Sequence, residues 1–164
     1  MSIYTLSAKD VPQLMLVQKD CYNEELVESV AVMAARIGAF QHSCWGYFVD
    51  QLMAGYLLAY PSVLGNITPL AADFPSYQKP DCLYLHDMAI SSHFRGQSLA
   101  PKLLLHAQKE AQKMGLNAMA LVAVQGAEAY WAKQGFVKVT DICLKQQAIL
   151  DTYLPEIACY MIKT

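Results

Sequence analysis

Two groups of residues in the middle of the chain have types suited to chemistry. His86 and Asp87 interrupt the otherwise apolar residues 83–90, and Arg95 and Gly96 follow in a polar loop. Histidine is suited to general base catalysis, because its unperturbed pKa of about 6.5 is near working pH. An arginine beside a glycine, where backbone can approach a ligand closely, is suited to binding phosphate. These patterns predict a phosphate site close to a residue that can accept a proton.

The segments around these residues predict a strand, a tight loop and an amphipathic helix. From about residue 99 to residue 114, apolar positions follow the i, i+3, i+4, i+7 spacing of one buried helix face. They are Ala100, Leu103, Leu104, Ala107, Ala111 and Met114, and Gly115 is placed to cap the helix end. The first amides of a helix lack partners within it, and the helix dipole favours negative charge there. The predicted phosphate site is therefore at this helix N-terminus.

This stretch resembles the acetyl-coenzyme A-binding signature of the GNAT superfamily of N-acetyltransferases, Arg/Gln-x-x-Gly-x-Gly/Ala. Here it reads Arg95-Gly96-Gln97-Ser98-Leu99-Ala100, with Ser98 in place of the usual glycine. Residues 85–90 look like the family's central strand and are locally similar to the arylalkylamine N-acetyltransferase branch. Residues 124–136 look like the family's next strand end, short helix and Gly-Phe turn.

The resemblance implies an α/β fold with a mixed, mostly antiparallel central sheet, flanking helices and splayed central strands. It implies acetyl-CoA as cosubstrate, with the pantetheine arm in the gap between those strands and direct attack by an amine. Backbone groups would hold the pantetheine and polarise the acetyl carbonyl at Met88, Ala89 and Ile90. The pyrophosphate would be held by Arg95 and by amides of Gly96, Gln97, Ser98, Leu99 and Ala100. Trp131 would border the thioester.

The candidates for proton transfer are His86 and Tyr130. In the arylalkylamine branch, a histidine matching His86 belongs to a base relay; the alternative is a core histidine satisfied by its neighbours. Trp131 occupies the position of the tyrosine general acid in many family members, but an indole releases no useful proton. Tyr130 is adjacent, about 100° around the helix, so simple packing is the alternative for both aromatic residues. In a regular strand Asp87 faces away from His86, whereas a β-bulge would change that parity.

Three glutamates near a predicted helix start form a further group: Glu24, Glu25 and Glu28. Their negative charge could attract a cationic amine, or it could merely complement the helix dipole.

Composition excludes several classes of protein. The chain has 164 residues, 55% of them hydrophobic, and a net charge of −2, which predicts one domain over residues 1–164 with a real core. It contains no basic run for nucleic acid and no apolar run near the ~20 residues of a membrane helix. No signal-peptide pattern is present. The five cysteines form no Cys-x-x-Cys pair, and His42, His93 and His106 lack metal-ligand spacing. We therefore expect a cytoplasmic protein without a metal.

The predicted order of elements is βααβββαβαββ. Helices are expected at residues 10–21, with Asp10 as N-cap, and at residues 24–36, between Asn23 and Gly38. A hairpin at Asp50-Gln51 joins two strands, and Gly55 indicates a bulge or a close approach. Further strands are expected at residues 118–124, 136–140 and 157–163, and a short helix at residues 127–134. Residues 144–153 are left unassigned.

Residues 61–80 form the only long irregular segment, which is either a lid over a site or a plain surface connection. A covered acceptor side favours a small-molecule amine as the acceptor. The alternatives are a protein or peptide N-acetyltransferase and a non-catalytic acyl-CoA-binding module. The oligomeric state, including a homodimer, is left open.

Overall fold

The computed structural model describes residues 2–164, which form a seven-stranded sheet with helices on both faces. In chain order the elements are β1 (Ser2–Thr5), α1 (Val11–Cys21), α2 (Val30–Ala39), β2 (Cys44–Val49), β3 (Leu52–Ser62), β4 (Cys82–Ile90), α3 (Leu99–Lys113), β5 (Ala118–Ala123), α4 (Glu128–Lys133), β6 (Val137–Lys138), α5 (Leu144–Leu150) and β7 (Cys159–Lys163). The strand order is β1-β2-β3-β4-β5-β7-β6. Only the β4–β5 pair is parallel. The predicted mixed, mostly antiparallel sheet is confirmed.

The two central strands separate halfway along their length. β4 and β5 pair from Cys82 opposite Ala118 to Leu85 opposite Leu121, and the ladder ends there. β4 nevertheless continues to Ile90, paired on its other side with β3. The predicted splaying is therefore confirmed, and it leaves one edge of β4 unpaired beyond Leu85.

Successive side chains of the central strands enter two separate cores. Tyr56, Leu58 and Tyr84 pack in the layer that contains α1 and α2. Leu57 and Leu83 pack in the layer that contains α3 and α4. The alternation follows from the two-residue repeat of a strand covered on both faces, so a residue's parity decides which side of the sheet it reaches.

The hairpin and Gly55 agree with their predictions. Asp50 and Gln51 both have positive φ, +48° and +67°, as a tight hairpin turn requires. A Cβ atom on Gly55 would lie 2.7 Å from the carbonyl oxygen of Ala89. Gly55 therefore marks a close approach of β3 to β4.

The second helix begins later than predicted. Only a short 3₁₀ turn forms at Glu24–Leu26, and α2 starts at Val30 after the N-cap Ser29, whose Oγ accepts from the Val32 amide. The reason is Gln18 of α1, which bonds both the amide and the carbonyl of Glu28 and so removes them from a helical pattern. Asn23 bonds Glu156 instead of capping, and α2 runs through Gly38 to Ala39.

Three smaller differences concern caps and the C-terminal region. Asp10 precedes α1 as predicted, but its carboxylate accepts from the backbone and hydroxyl of Ser7 rather than capping the helix. The unassigned residues contain α5 and a 3₁₀ turn, Asp151–Tyr153. The strand expected at residues 136–140 is only Val137–Lys138.

Within residues 2–164, no helix is long and apolar enough to span a bilayer.

Candidate active site

A cavity of about 320 Å³ lies where β4 and β5 separate. On one side of the sheet it is bounded by Tyr130 and Trp131 of α4. On the other side it is bounded by Leu26, Leu70 and Tyr153. Leu26 ends the 3₁₀ turn before α2, Leu70 lies in the segment between β3 and β4, and Tyr153 ends the 3₁₀ turn after α5. The cavity thus passes through the gap in the sheet and has two halves. We call the half bounded by Leu26, Leu70 and Tyr153 the acceptor half.

A β-bulge at His86 places two titratable side chains on the same side of β4. Leu58 pairs with Asp87 while its neighbour Ala59 pairs with Leu85, so His86 has no residue opposite it. Because a bulge adds one residue to one strand, it reverses the alternation beyond it. His86 and Asp87 therefore both face the α1–α2 side, and the regular-strand expectation for Asp87 is wrong.

His86 is buried beside a carboxylate. Its Nε2 atom lies 3.3 Å from Oε1 of Glu28, and its side chain is only 2% exposed. Its ring packs edge-on against Phe74, with 5.2 Å between centroids. Among the described residues, the Nδ1 atom has no hydrogen-bond partner. A buried nitrogen without a partner is costly in a purely structural histidine, so Nδ1 is available to a ligand or a water in the cavity.

Glu28 connects four segments that surround the acceptor half. Its carboxylate accepts from Nη1 and Nη2 of Arg36 at 2.5 and 2.6 Å, and from the Ala71 amide at 2.8 Å. Burial raises the pKa of Glu28, but hydrogen bonds and charge from His86 and Arg36 outweigh it and lower the pKa to about 2. Glu28 is consequently an ionised partner for His86. Glu24 and Glu25 are exposed and do not line the cavity.

Asp87 is held by two tyrosines. Its carboxylate accepts from the hydroxyl of Tyr22 at 2.6 Å and from that of Tyr56 at 2.7 Å. Burial raises the pKa of Asp87, although both hydroxyls act in the opposite direction. Since both oxygens already have donors, Asp87 serves here to tie the end of α1 to the sheet.

The free edge of β4 presents the backbone of alternate residues. The Met88 carbonyl accepts from Tyr22, and the Ile90 carbonyl accepts from the thiol of Cys21. The Ala89 carbonyl instead points towards β3 at Gly55. Three residues were predicted to hold pantetheine. Met88 and Ile90 direct their carbonyls away from β3, towards the free edge, whereas Ala89 directs its carbonyl towards β3.

A second cavity, of about 290 Å³, lies at the mouth of α3. It is lined by five of the six predicted pyrophosphate residues, namely Arg95, Gly96, Ser98, Leu99 and Ala100, while Gln97 is absent from the lining. Gly96 and Ser98 have φ of +79° and +56°, so the backbone turns through the left-handed region twice before the helix. Arg95 and Ala100 also line the first cavity, so the two spaces are neighbours.

The loop that precedes α3, residues 91–98, is held against α1 by Asp20. The carboxylate of Asp20 accepts from the Ser92 amide at 2.6 Å, the Ser91 hydroxyl at 3.0 Å and the Ser92 hydroxyl at 2.9 Å. The hydrogen bonds of Ser92 keep the pKa of Asp20 below its usual range. These contacts hold the start of the loop against the end of α1, next to the open edge of β4.

Tyr130 and Trp131 both line the cavity but differ in environment. Trp131 is 8% exposed and packs against the ring of Phe136, which makes it largely a core residue. The hydroxyl of Tyr130 is buried and has no partner among the described residues. Burial raises the pKa of Tyr130. The two aromatic residues thus remain distinct candidates.

Sequence reasoning missed several residues around the acceptor half, including Tyr22, Arg36, Leu70 and Tyr153. A polar side chain on an apolar helix face was the available signal for Arg36 and for Gln18, which are 1% exposed. Leu70 and Tyr153 carried no signal, because their positions depend on tertiary packing.

The chain matches the model described as the acetyltransferase (GNAT) family over residues 11–136. It is similar to the solved GphF GNAT-like decarboxylase in complex with isobutyryl-CoA, with a TM-score of 0.79 and 15% identity over 100% of this chain and 99% of that one. It is also similar to the loading GNATL domain of CurA from Lyngbya majuscula, with a TM-score of 0.78 and 11% identity over 99% and 96% of the two chains.

A third similar structure is the PaiA N-acetyltransferase from Thermoplasma acidophilum in complex with coenzyme A. Its TM-score is 0.70 and its identity 17%, over 99% of this chain and 98% of that one. No curated protein matches the chain. At these identities the structural likenesses establish the fold, and the family model covers most of the chain.

Proposed function

Because the chain belongs to the acetyltransferase (GNAT) family, and is thereby an acyltransferase, we propose that it transfers the acetyl group of acetyl-CoA to a primary amine of a small molecule. The observation that carries the proposal is the contact between His86 and its ionised partner Glu28. Both residues line a cavity that opens beside the free edge of β4. A proton acceptor and a cosubstrate slot are thereby adjacent.

The cosubstrate is assigned to the two neighbouring cavities. The guanidinium of Arg95 and the amides at the start of α3 offer donors for the pyrophosphate. The free edge of β4 at Met88 and Ile90 offers backbone groups to the pantetheine and the acetyl carbonyl. Coenzyme A bound to PaiA and isobutyryl-CoA bound to GphF support this assignment by analogy of fold.

The reaction requires a neutral amine. An alkylamine with a pKa near 10.4 is mostly protonated at neutral pH, so it must lose a proton before attack. The amine nitrogen then forms a bond to the acetyl carbon, the carbon–sulfur bond breaks, and the thiolate leaves. We assign the proton to Nδ1 of His86, relayed by a water, since the ring is too buried to meet the amine directly. Tyr130 is the assigned proton donor to the thiolate, which leaves readily in any case. The nitrogen releases its second proton to solvent once it has bonded to the acetyl carbon, and His86 and Tyr130 return to their starting states by proton exchange with solvent.

The covered acceptor half favours a small acceptor over a peptide. The segment between β3 and β4 is joined to the C-terminal region by several hydrogen bonds. The hydroxyl of Tyr153 donates to the Thr68 carbonyl at 2.8 Å, and the Leu70 amide donates to Thr152 Oγ1 at 3.0 Å. Its Ala71 amide donates to Glu28. A segment fixed by these bonds at residues 68–71 forms a wall, and an extended peptide needs an open groove.

The assay that tests this proposal mixes the protein, acetyl-CoA and a panel of primary amines, and follows free thiol together with the mass of the acetylated amine. We expect thiol release that depends on the amine, and its loss in His86→Gln. The matched control is His42→Gln, at an exposed position outside the cavity. Cofactor binding without amine-dependent release would favour the non-catalytic module. Release with peptides alone would favour the peptide acetyltransferase.

We also propose a cytoplasmic location. All five cysteines, which lie within the described residues, are free thiols, as is usual in a reducing compartment.

A further inference from the structure

The cavity has a strongly uneven distribution of charge. Among its described lining residues, Arg95 is the one permanently cationic side chain, and it also lines the second cavity at the mouth of α3. It therefore belongs to the cosubstrate end. The nearest buried cation on the other side, Arg36, is 1% exposed and is fully engaged with Glu28 and the Ala72 carbonyl. Among its described lining residues, the acceptor half therefore offers a ligand no permanently cationic side chain.

The carboxylates of Glu28 and Asp87 border the acceptor half and disfavour a negatively charged ligand there. Glu28 is ionised and already accepts from Arg36, His86 and the Ala71 amide. Asp87 already accepts from two tyrosine hydroxyls. A carboxylate on the ligand would lose its hydration here and gain no permanently cationic donor, which makes its burial unfavourable.

The walls of the acceptor half are apolar. Leu26 is 5% exposed, and Leu70 lines the same cavity. Tyr153 uses its hydroxyl to donate to the Thr68 carbonyl, so it offers mainly its ring to a ligand. Such a surface stabilises a hydrocarbon tail through burial of apolar area.

We propose that the acceptor is a primary amine whose tail is apolar and carries no carboxylate. This inference rests on the proposed acetyl transfer and specifies its substrate class. It excludes free α-amino acids as good acceptors, because their carboxylate lies two bonds from the reacting nitrogen and must enter the acceptor half with it.

The test compares three ligands with the same branched tail: 3-methylbutylamine, leucinamide and leucine. They carry, respectively, no group, a neutral amide and a carboxylate beside the amine. We expect kcat/KM for leucine to be lower than for 3-methylbutylamine by at least about tenfold, since an unfavourable charge environment costs at least that factor. An alkylamine holds its proton more tightly than an α-amine does, so a larger neutral fraction cannot explain faster turnover of 3-methylbutylamine.

A cation introduced into the acceptor half should reverse the preference. In Leu70→Arg, the ratio of kcat/KM for leucine over leucinamide should rise by about tenfold or more. The matched control is Leu144→Arg, which adds the same charge at a position that is 91% exposed and outside the cavity; its ratio should equal that of the wild type. If Leu70→Arg does not fold, as judged by circular dichroism, the wild-type ligand comparison still decides.

The outcomes separate this inference from the proposed function. Equal kcat/KM for leucine and 3-methylbutylamine in the wild type would overturn the inference while leaving acetyl transfer intact. If none of the three ligands releases thiol, their binding to the protein with coenzyme A is measured by calorimetry. Binding of 3-methylbutylamine in preference to leucine then supports the apolar acceptor half without catalysis, and equal binding or no binding overturns the inference.

Discussion

The Nε2 atom of His86 lies 3.3 Å from Oε1 of Glu28, although 58 residues separate them in the chain. Strand alternation places His86 on the α1–α2 side, because Tyr84 faces that side and Leu85 faces the other. The bonds from Gln18 keep Glu28 out of the helix that follows it. The contact therefore joins a residue placed by strand alternation to a residue placed by tertiary hydrogen bonds.

His86→Gln tests the assigned base. We expect turnover to fall by on the order of 10²–10⁴, the range for loss of a general base, with coenzyme A affinity unchanged. Full turnover in the variant would identify His86 as a core histidine. The base would then be sought at Glu28 or Asp87, which line the cavity, or in bulk water, since Glu24 and Glu25 lie outside it.

Glu28→Gln tests the electrostatic role of the carboxylate. The folded-state pKa of Glu28 is lowered from 4.5 to about 2. A lowered pKa contributes stability above the unfolded value, and this contribution is lost as pH falls from about 4.5 through about 2. The variant should therefore show a weaker decline in the free energy of unfolding over that window, measured by urea titration at several pH values.

At neutral pH, Glu28→Gln should be less stable by about 3–5 kcal/mol, because Arg36 then remains buried without a countercharge. Glu24→Gln is the matched control, since Glu24 is exposed, and it should change the free energy of unfolding by less than about 0.5 kcal/mol. Parallel pH dependences for wild type and Glu28→Gln would contradict the ionised state of Glu28.

Arg95→Ala tests the phosphate site. A charge-assisted hydrogen bond contributes roughly 1.5–3 kcal/mol, so the Kd for coenzyme A should rise by about 10- to 150-fold. Acetyl-pantetheine, which lacks the phosphates, should hardly be affected. Lys102→Ala is the control, because Lys102 is an exposed cation on the same helix. Equal weakening of both ligands by Arg95→Ala would place Arg95 away from the phosphates.

Ser98→Gly tests the departure from the family signature. Ser98 has φ of +56°, a conformation that costs a residue with a Cβ atom roughly 1–2 kcal/mol. Glycine should therefore raise the free energy of unfolding, by about 1 kcal/mol after its greater unfolded-state entropy is subtracted. The neighbouring Gln97 lacks positive φ, so Gln97→Gly should lower stability. Thermal unfolding measures both, and a less stable Ser98→Gly would refute strain at this residue.

Two single substitutions, Tyr130→Phe and Trp131→Phe, distinguish the catalytic roles of these two residues. If Tyr130 donates a proton to the thiolate, Tyr130→Phe should lower kcat by up to about 10² without loss of stability, since its hydroxyl has no partner among the described residues. Trp131→Phe should keep most of its turnover, because the indole is mainly packed. A collapse of turnover in Trp131→Phe alone, with unchanged folding and cofactor affinity, would transfer the role to the indole.

The sequence alone determined the elements whose signals are local. The apolar periodicity of α3, the glycine-containing loop before it and the apolar run of β4 depend on neighbouring residues only, and each is where the pattern predicted it. The same local pattern carried the resemblance to the family, which the match over residues 11–136 confirms. Arg95 and four of its five predicted partners in the loop line a cavity for the same reason.

Tertiary structure alone decided how the acceptor half is built. The side of the sheet that Asp87 faces depends on a bulge, which arises from pairing with β3 and leaves no mark in the alternation of β4. The position of Glu28 depends on Gln18, ten residues earlier, and the walls at Leu70 and Tyr153 depend on bonds between residues more than eighty apart. A pattern within one segment reports which face of that segment is buried, but it carries no information on which distant residue supplies the opposite wall.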